Sequence, residues 1–168
     1  MATRRVVFEV DGAQSTSGVD FPIFALDGTT ATIPYYQFSS TVTQGVQFTI
    51  PQVQEYGANP SAVILWNSDV NSGSAVWGCQ LAAYDPNSGT DGLSSLAFDT
   101  ITSGVFEHSG GNASRAMTAT LSIDVAETDG LTNGDYLVIS IQRINAHASD
   151  TLTGFAQLLG LSFEYSDT

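Results

Sequence analysis

The sequence predicts an all-β protein, a single antiparallel β-sandwich of jelly-roll type with about eight strands and an extended N-terminal arm. Apolar and polar residues alternate with the period of two that a half-buried strand requires, and turn residues separate the runs. The 168 residues also include 19 Ser, 18 Thr and 16 Gly. Ser and Thr suit a pleated surface, whereas a helical protein would need more Ala, Glu, Lys and Leu.

The C-terminal third shows the clearest alternation. Residues 117–125 and 137–142 each place apolar side chains on one face, and the sequence TNGD at 132–135 predicts a turn between them. Residues 159–165 form the last alternating run. Shorter runs predict five earlier strands, at residues 33–38, 46–50, 62–66, 75–84 and 96–101.

Two regions divide the chain. Residues 1–29 are predicted to form the N-terminal arm and first strand, and residues 30–168 the jelly-roll sandwich. No run reaches the roughly 18 apolar residues of a membrane span. The N-terminus lacks the apolar region of a signal peptide, which predicts a protein that is not secreted.

The charge balance excludes two classes of partner. Four Arg and no Lys stand against 17 acidic residues, which gives a net charge of -13. Such a chain would repel the phosphates of nucleic acid and the surface of an anionic membrane. The single cysteine, Cys79, excludes an internal disulfide, and its place among apolar residues predicts a buried, inert thiol.

The sequence predicts neither catalysis nor a bound cofactor. No nucleophile motif is present, and the two histidines, His108 and His147, lie in polar segments where we expect them to be solvated. One Cys and two distant His do not make a zinc site. Most acidic residues lie in turns, where Asp is expected for local backbone hydrogen bonding. A glycosidase built on a carboxylate pair is a third, less favoured, alternative to the functions given below.

One loop is a weak candidate for calcium. Asp85, Asn87 and Asp91 place oxygen ligands at alternating positions, as in the first half of a calcium-binding loop. Pro86 and the missing acidic residue at the end of the pattern favour a plain turn instead.

Two further groups of residues are predicted to be structural. Arg143 and Asp150 bracket a loop, so we expect an ion pair that closes it. Aromatic residues could line a sugar-binding surface, but core packing is the favoured interpretation. They are Tyr35, Tyr36, Phe38, Trp66 and Trp77.

Several stretches together resemble the small jelly-roll virion proteins of tailed bacteriophages, which include capsid decoration (cement) proteins and modules of head or tail fibres. The resemblance covers roughly residues 60–167. It is carried by ILW at 64–66, NSGSAVWGCQ at 71–80, GDYLVISIQR at 134–143, SDTL at 149–152 and LLGLSFEY at 158–165.

The resemblance implies a non-enzymatic virion protein, commonly a homotrimer, that is assembled in the host cytoplasm and binds other virion proteins. The favoured function is capsid decoration, by binding the outer surface of the major capsid protein lattice and stabilising it. The alternative is a fibre or spike module that binds a host-surface glycan. For the favoured function the N-terminal arm is predicted to bind the partner, with Arg4 and Arg5 pairing carboxylates and Val6, Val7 and Phe8 adding a strand.

Overall fold

The computed structural model describes residues 2–15, 23–27, 33–88, 96–109, 113 and 115–168. These residues form eleven strands in two antiparallel sheets, which confirms the predicted β-sandwich. The part of the chain described contains no helix long and apolar enough to cross a membrane. The strands are β1 (Thr3–Phe8), β2 (Gln14–Ser15), β3 (Ile23–Asp27), β4 (Ile33–Phe38), β5 (Gln44–Ile50), β6 (Tyr56–Ser68), β7 (Ser74–Tyr84), β8 (Thr102–Glu107), β9 (Met117–Ser122), β10 (Tyr136–Arg143) and β11 (Ala156–Asp167).

The first sheet is built around β11, the second around β10. The order in the first is β3-β4-β11-β6-β9, and β1 also pairs with β11. Strands β4 and β1 pair with opposite ends of β11, at Ala156–Leu158 and Leu161–Ser166 respectively, while β6 pairs along most of its length. The order in the second sheet is β2-β5-β10-β7-β8.

Large aromatic side chains fill the space between the sheets. Trp66 of β6 and Trp77 of β7 are fully buried and meet edge to face, with ring centroids 5.9 Å apart. Phe38 of β4 packs edge-on against Trp77 at 5.1 Å. These contacts join strands of both sheets, as expected for a sandwich core.

The N-terminal region differs from the predicted arm. Residues 3–8 form β1 and pair with β11 from Thr3↔Ser166 to Phe8↔Leu161. Strand β2 pairs with β5 and β3 pairs with β4, so the described part of residues 1–29 contributes strands to both sheets. The rest of this region, residue 1 with 16–22 and 28–29, lies outside the described residues. The described part belongs to the sandwich because β11 offers β1 an edge within the same chain.

The predicted strand at residues 96–101 is also displaced. This segment is not a strand, and the strand that pairs with β7 is β8, at Thr102–Glu107. The Asp99 carboxylate accepts the backbone N–H groups of Thr100, at 2.7 Å, and Asp129, at 3.1 Å. These side-chain bonds compete with a regular ladder along the β7 edge.

Candidate functional site

A row of polar side chains crosses the outer face of the second sheet. Gln14 pairs with Gln47, Gln47 with Ser140, and Ser140 with Gln80. Directly paired residues point to the same face of a sheet, and the apolar neighbours of Gln47, Ser140 and Gln80 face the core. The row therefore spans β2, β5, β10 and β7, a distance of about 14 Å at about 4.8 Å per strand.

We use the name amide face for the outward positions of β5, β10 and β7. Three of its side chains form a hydrogen-bonded network. The Gln142 Nε2 amide donates to Gln80 Oε1 at 2.9 Å and to Ser140 Oγ at 3.3 Å. Gln80 Nε2 in turn donates to the Asp99 carbonyl at 3.0 Å. The network fixes the orientation of two amides, so their remaining hydrogen-bonding groups have a defined direction. The members of the amide face are Gly45, Gln47, Thr49, Tyr136, Val138, Ser140, Gln142, Ser74, Val76, Gly78, Gln80, Ala82 and Tyr84.

The floor of the amide face is buried. Ser140 is fully buried and Gln142 is 8% exposed although both point away from the core. A Cβ added at Gly78 would lie 2.6 Å from Ile101 Cδ1 and 2.8 Å from Ile144 Cδ1, so these two side chains cover that end of the floor. Around the floor, the side chains of Gln47 and Gln80 are half-buried. We call this buried floor, together with the half-buried Gln47 and Gln80 around it, the recess.

Two tyrosines lie at the opposite end of the amide face from Ile101 and Ile144. Tyr84 of β7 and Tyr136 of β10 are direct cross-strand partners, and both are half-buried. A tyrosine offers an apolar ring and a hydroxyl at its tip. One end of the recess therefore supplies aromatic surface and the middle supplies amides.

The amide face carries no charged side chain at any of its outward positions on β5, β7 and β10. Amides and hydroxyls can both donate and accept hydrogen bonds. Chemically, this surface is suited to binding a neutral, hydroxyl-rich molecule.

The sequence predicts an ion pair between Arg143 and Asp150. The structure confirms it, and the pair is buried between the sheets. Arg143 Nη2 lies 2.7 Å from Asp150 Oδ1, and Arg143 Nε lies 3.1 Å from Asp150 Oδ2. Both side chains are almost fully buried. The same guanidinium donates to the carbonyls of Gly154, at 2.7 Å, and Leu152, at 2.5 Å. The pair therefore anchors the loop after β10.

The five residues predicted to bind a partner lie in β1. Arg4 pairs with Glu55 and Asp167, and Arg5 Nη2 lies 2.6 Å from Glu164 Oε1. Val6 is half-buried and Phe8 packs on Phe48 with ring centroids 5.3 Å apart, whereas Val7 is 70% exposed. The carboxylates and strand edge that these residues use belong to this chain. Binding to a further partner stays a prediction.

The calcium candidate lies only partly within the described residues. The Asp85 Oδ1 oxygen accepts the Asn87 N–H at 2.8 Å, and the Asp85 carbonyl accepts the Ser88 N–H at 3.1 Å, which is the geometry of a local turn. Asp91 lies outside the described residues. Across the residues that the structure describes, no three His, Cys, Asp or Glu side chains are grouped as metal ligands.

The remaining single residues fall mostly in the core. Tyr36, Phe38, Trp66 and Trp77 are buried there, and Tyr35 is half-buried on the outside of the first sheet. Cys79 is buried as predicted, and burial raises the pKa of its thiol to about 12.

The prediction for the histidines is half wrong. His147 is exposed, but His108 is 1% exposed and meets Trp66 edge-on with ring centroids 5.8 Å apart. The His108 backbone N–H donates to the Gly73 carbonyl at 2.7 Å, which holds the residue against the turn between β6 and β7.

Comparisons with known proteins find similarity of fold. No protein-family model and no curated protein sequence matches the chain. A carbohydrate-binding module of family CBM28, specific for non-crystalline cellulose, aligns with a TM-score of 0.53 and 10% identity over 93% of this chain and 89% of that one. The CBM22-1 xylan-binding domain of Paenibacillus barcinonensis Xyn10C aligns with a TM-score of 0.50 and 8% identity over 95% and 89%. At these identities the similarity shows a shared β-sandwich fold.

Proposed function

We propose that this chain is a non-catalytic glycan-binding module whose binding surface is the amide face. The observation that carries the proposal is the pair of half-buried amides, Gln47 and Gln80, which flank the buried Ser140 in one cross-strand row with no charged side chain. Sugars present closely spaced hydroxyls, which amides bind as both donors and acceptors. Tyr84 and Tyr136 add ring surface for the apolar faces of sugar rings.

The shared fold supports the same proposal. Both solved structures described above are carbohydrate-binding modules, and the alignments cover nearly the whole of each chain. Fold alone does not give function, so the proposal depends on the chemistry of the amide face rather than on the similarity.

The proposal is tested by measuring affinity for a panel of soluble polysaccharides, by affinity electrophoresis and calorimetry. Tyr84→Ala and Gln47→Ala should each weaken binding about tenfold or more, because both side chains border the recess. Thr120→Ala is the matched control, since Thr120 is exposed on the outer face of the first sheet. Melting curves of each variant establish that it is folded. The proposal fails if no polysaccharide binds, or if Thr120→Ala weakens binding and the two amide-face variants do not.

The resemblance to phage virion proteins suggests where such a module works. We propose a fibre or spike of the particle, in which the glycan belongs to the host surface. Capsid decoration is the second candidate, and it is favoured by Val7, an apolar side chain 70% exposed in β1 beside Arg5. Copy number per particle separates the two, since decoration of the capsid lattice requires many more copies than a fibre. Val7→Asp should reduce particle occupancy only for a decoration protein.

A further inference from the structure

None of the four arginines occupies an outward position of the amide face. The chain has four Arg and no Lys. Arg4 and Arg5 pair with carboxylates on the first sheet, and Arg115 is exposed just before β9 of that sheet. Arg143 is buried between the sheets and paired with Asp150. A ligand in the recess would therefore meet no positive charge.

The surroundings of the recess are acidic rather than neutral. Asp99 lies at its border, where its carbonyl accepts the Gln80 amide, and its carboxylate accepts the Asp129 N–H at 3.1 Å. The chain as a whole carries a net charge of -13. An anion that approaches the amide face is therefore repelled at long range, and on arrival it loses water without gaining a cation.

We infer that the amide face discriminates between glycans by charge: it binds neutral glycans and rejects those that carry carboxylate or sulfate groups. This inference rests on the proposed glycan-binding function and specifies the class of ligand. Selectivity arises here from an unfavourable interaction with the wrong ligand, since the same hydroxyls are available on both kinds of glycan.

The test uses pairs of polysaccharides that share one backbone and carry either neutral or charged substituents. Hydroxyethyl cellulose with carboxymethyl cellulose forms one such pair, and arabinoxylan with glucuronoxylan forms another. For any pair whose neutral member binds, the charged member should bind about tenfold more weakly at low salt. The difference should shrink as NaCl is raised to about 0.5 M, because salt screens the repulsion.

A gain of function provides the second measurement. Gln14→Arg places a cation next to Gln47 without removing either binding amide, and should raise affinity for the charged polysaccharide several-fold. Thr120→Arg, with the same change of charge on the first sheet, should leave that affinity nearly unchanged. Equal or tighter binding of the charged member by the unmodified protein, or equal effects of the two Arg variants, overturns the inference and leaves glycan binding intact. Failure of every polysaccharide in the panel to bind, neutral and charged alike, overturns the proposed function itself.

Discussion

At the scale of single residues, Arg143 donates more hydrogen bonds than any other side chain in the described part of the chain. Its guanidinium holds both oxygens of Asp150 and donates to the carbonyls of Phe38, Leu152 and Gly154. Arg143→Met would leave a buried carboxylate and these carbonyls without their donor. We expect the free energy of unfolding, measured by urea denaturation, to fall by about 3–5 kcal/mol.

Two other variants show whether the geometry or the charge matters. Arg143→Lys keeps the charge but cannot reach the same set of acceptors, so it should also destabilise the protein. Arg5→Met removes an ion pair in which the arginine side chain is 62% exposed, and should cost at most about 1 kcal/mol. If Arg143→Met lowers the free energy of unfolding no more than Arg5→Met does, Arg143 does not anchor the loop after β10 as described.

Cys79 makes the free energy of unfolding depend on pH in the alkaline range. Burial raises the pKa of the folded thiol to about 12, while the thiol of the unfolded chain ionises near its ordinary value of about 8.5. Below that value both states are protonated and the thiol has no effect on stability. Above it only the unfolded state ionises, so the free energy of unfolding falls by up to about 1.4 kcal/mol per pH unit until the folded thiol ionises as well.

Comparison with Cys79→Ala isolates this effect from other alkaline titrations. The difference in stability between the two proteins should be constant below about pH 8 and should then shift in favour of the variant. A difference that does not change up to about pH 11 would show that the thiol is ionised equally in both states.

At the scale of elements, the start of β6 tolerates no side chain at Gly57. A Cβ there would lie 2.7 Å from the Asp167 carbonyl oxygen and 2.9 Å from that of Ser166, where the register between β6 and β11 shifts. These are backbone atoms and cannot move aside cheaply. Gly57→Ala should therefore cost about 1–3 kcal/mol in thermal or urea unfolding.

Gly160 of β11 is the matched control for Gly57. It lies in the same sheet, but its added Cβ would be 3.9 Å from the nearest atom, Leu65 Cβ, which is ordinary contact. Gly160→Ala should be nearly neutral. If the two substitutions cost the same, the close approach of β6 to β11 at Gly57 does not limit that position.

Local pattern predicted much of these elements. Alternation in residues 137–142 places Leu137, Ile139 and Ile141 on the buried face, as the structure shows. The ion pair of Arg143 with Asp150 could be predicted for a similar reason, since the two residues are only seven positions apart. Both inferences need only short-range information along the chain.

Contacts between distant strands could not be predicted in this way. The amide row depends on the registers of β5, β10 and β7, and alternation within one strand does not fix its register against another. The place of β1 depends likewise on β11, which lies at the other end of the chain. The outward residues Ser140 and Gln142 could be recognised as polar positions, but the row that Ser140 shares with Gln47 and Gln80 could not.

At the scale of the whole molecule, net charge opposes the compact state. The 17 acidic residues outnumber the four arginines, and one of those arginines, Arg143, is buried with its own counter-charge. Folding brings the remaining acidic side chains closer together, and their mutual repulsion is screened by salt. The buried pair is screened far less, because solvent ions do not reach it.

We therefore expect the melting temperature to rise as NaCl is increased from low salt to about 0.5 M, by about 2–4 °C for each kcal/mol of repulsion removed. Differential scanning fluorimetry measures this directly. Calcium chloride at matched ionic strength separates screening from specific binding. An equal rise in both salts shows general screening, whereas an extra rise at millimolar calcium that Asp85→Asn abolishes would identify the loop containing Asp85, Asn87 and Asp91 as an ion site. A melting temperature that falls with NaCl would show that attractive ion pairs, such as that of Arg5 with Glu164, outweigh the repulsion of the acidic surface.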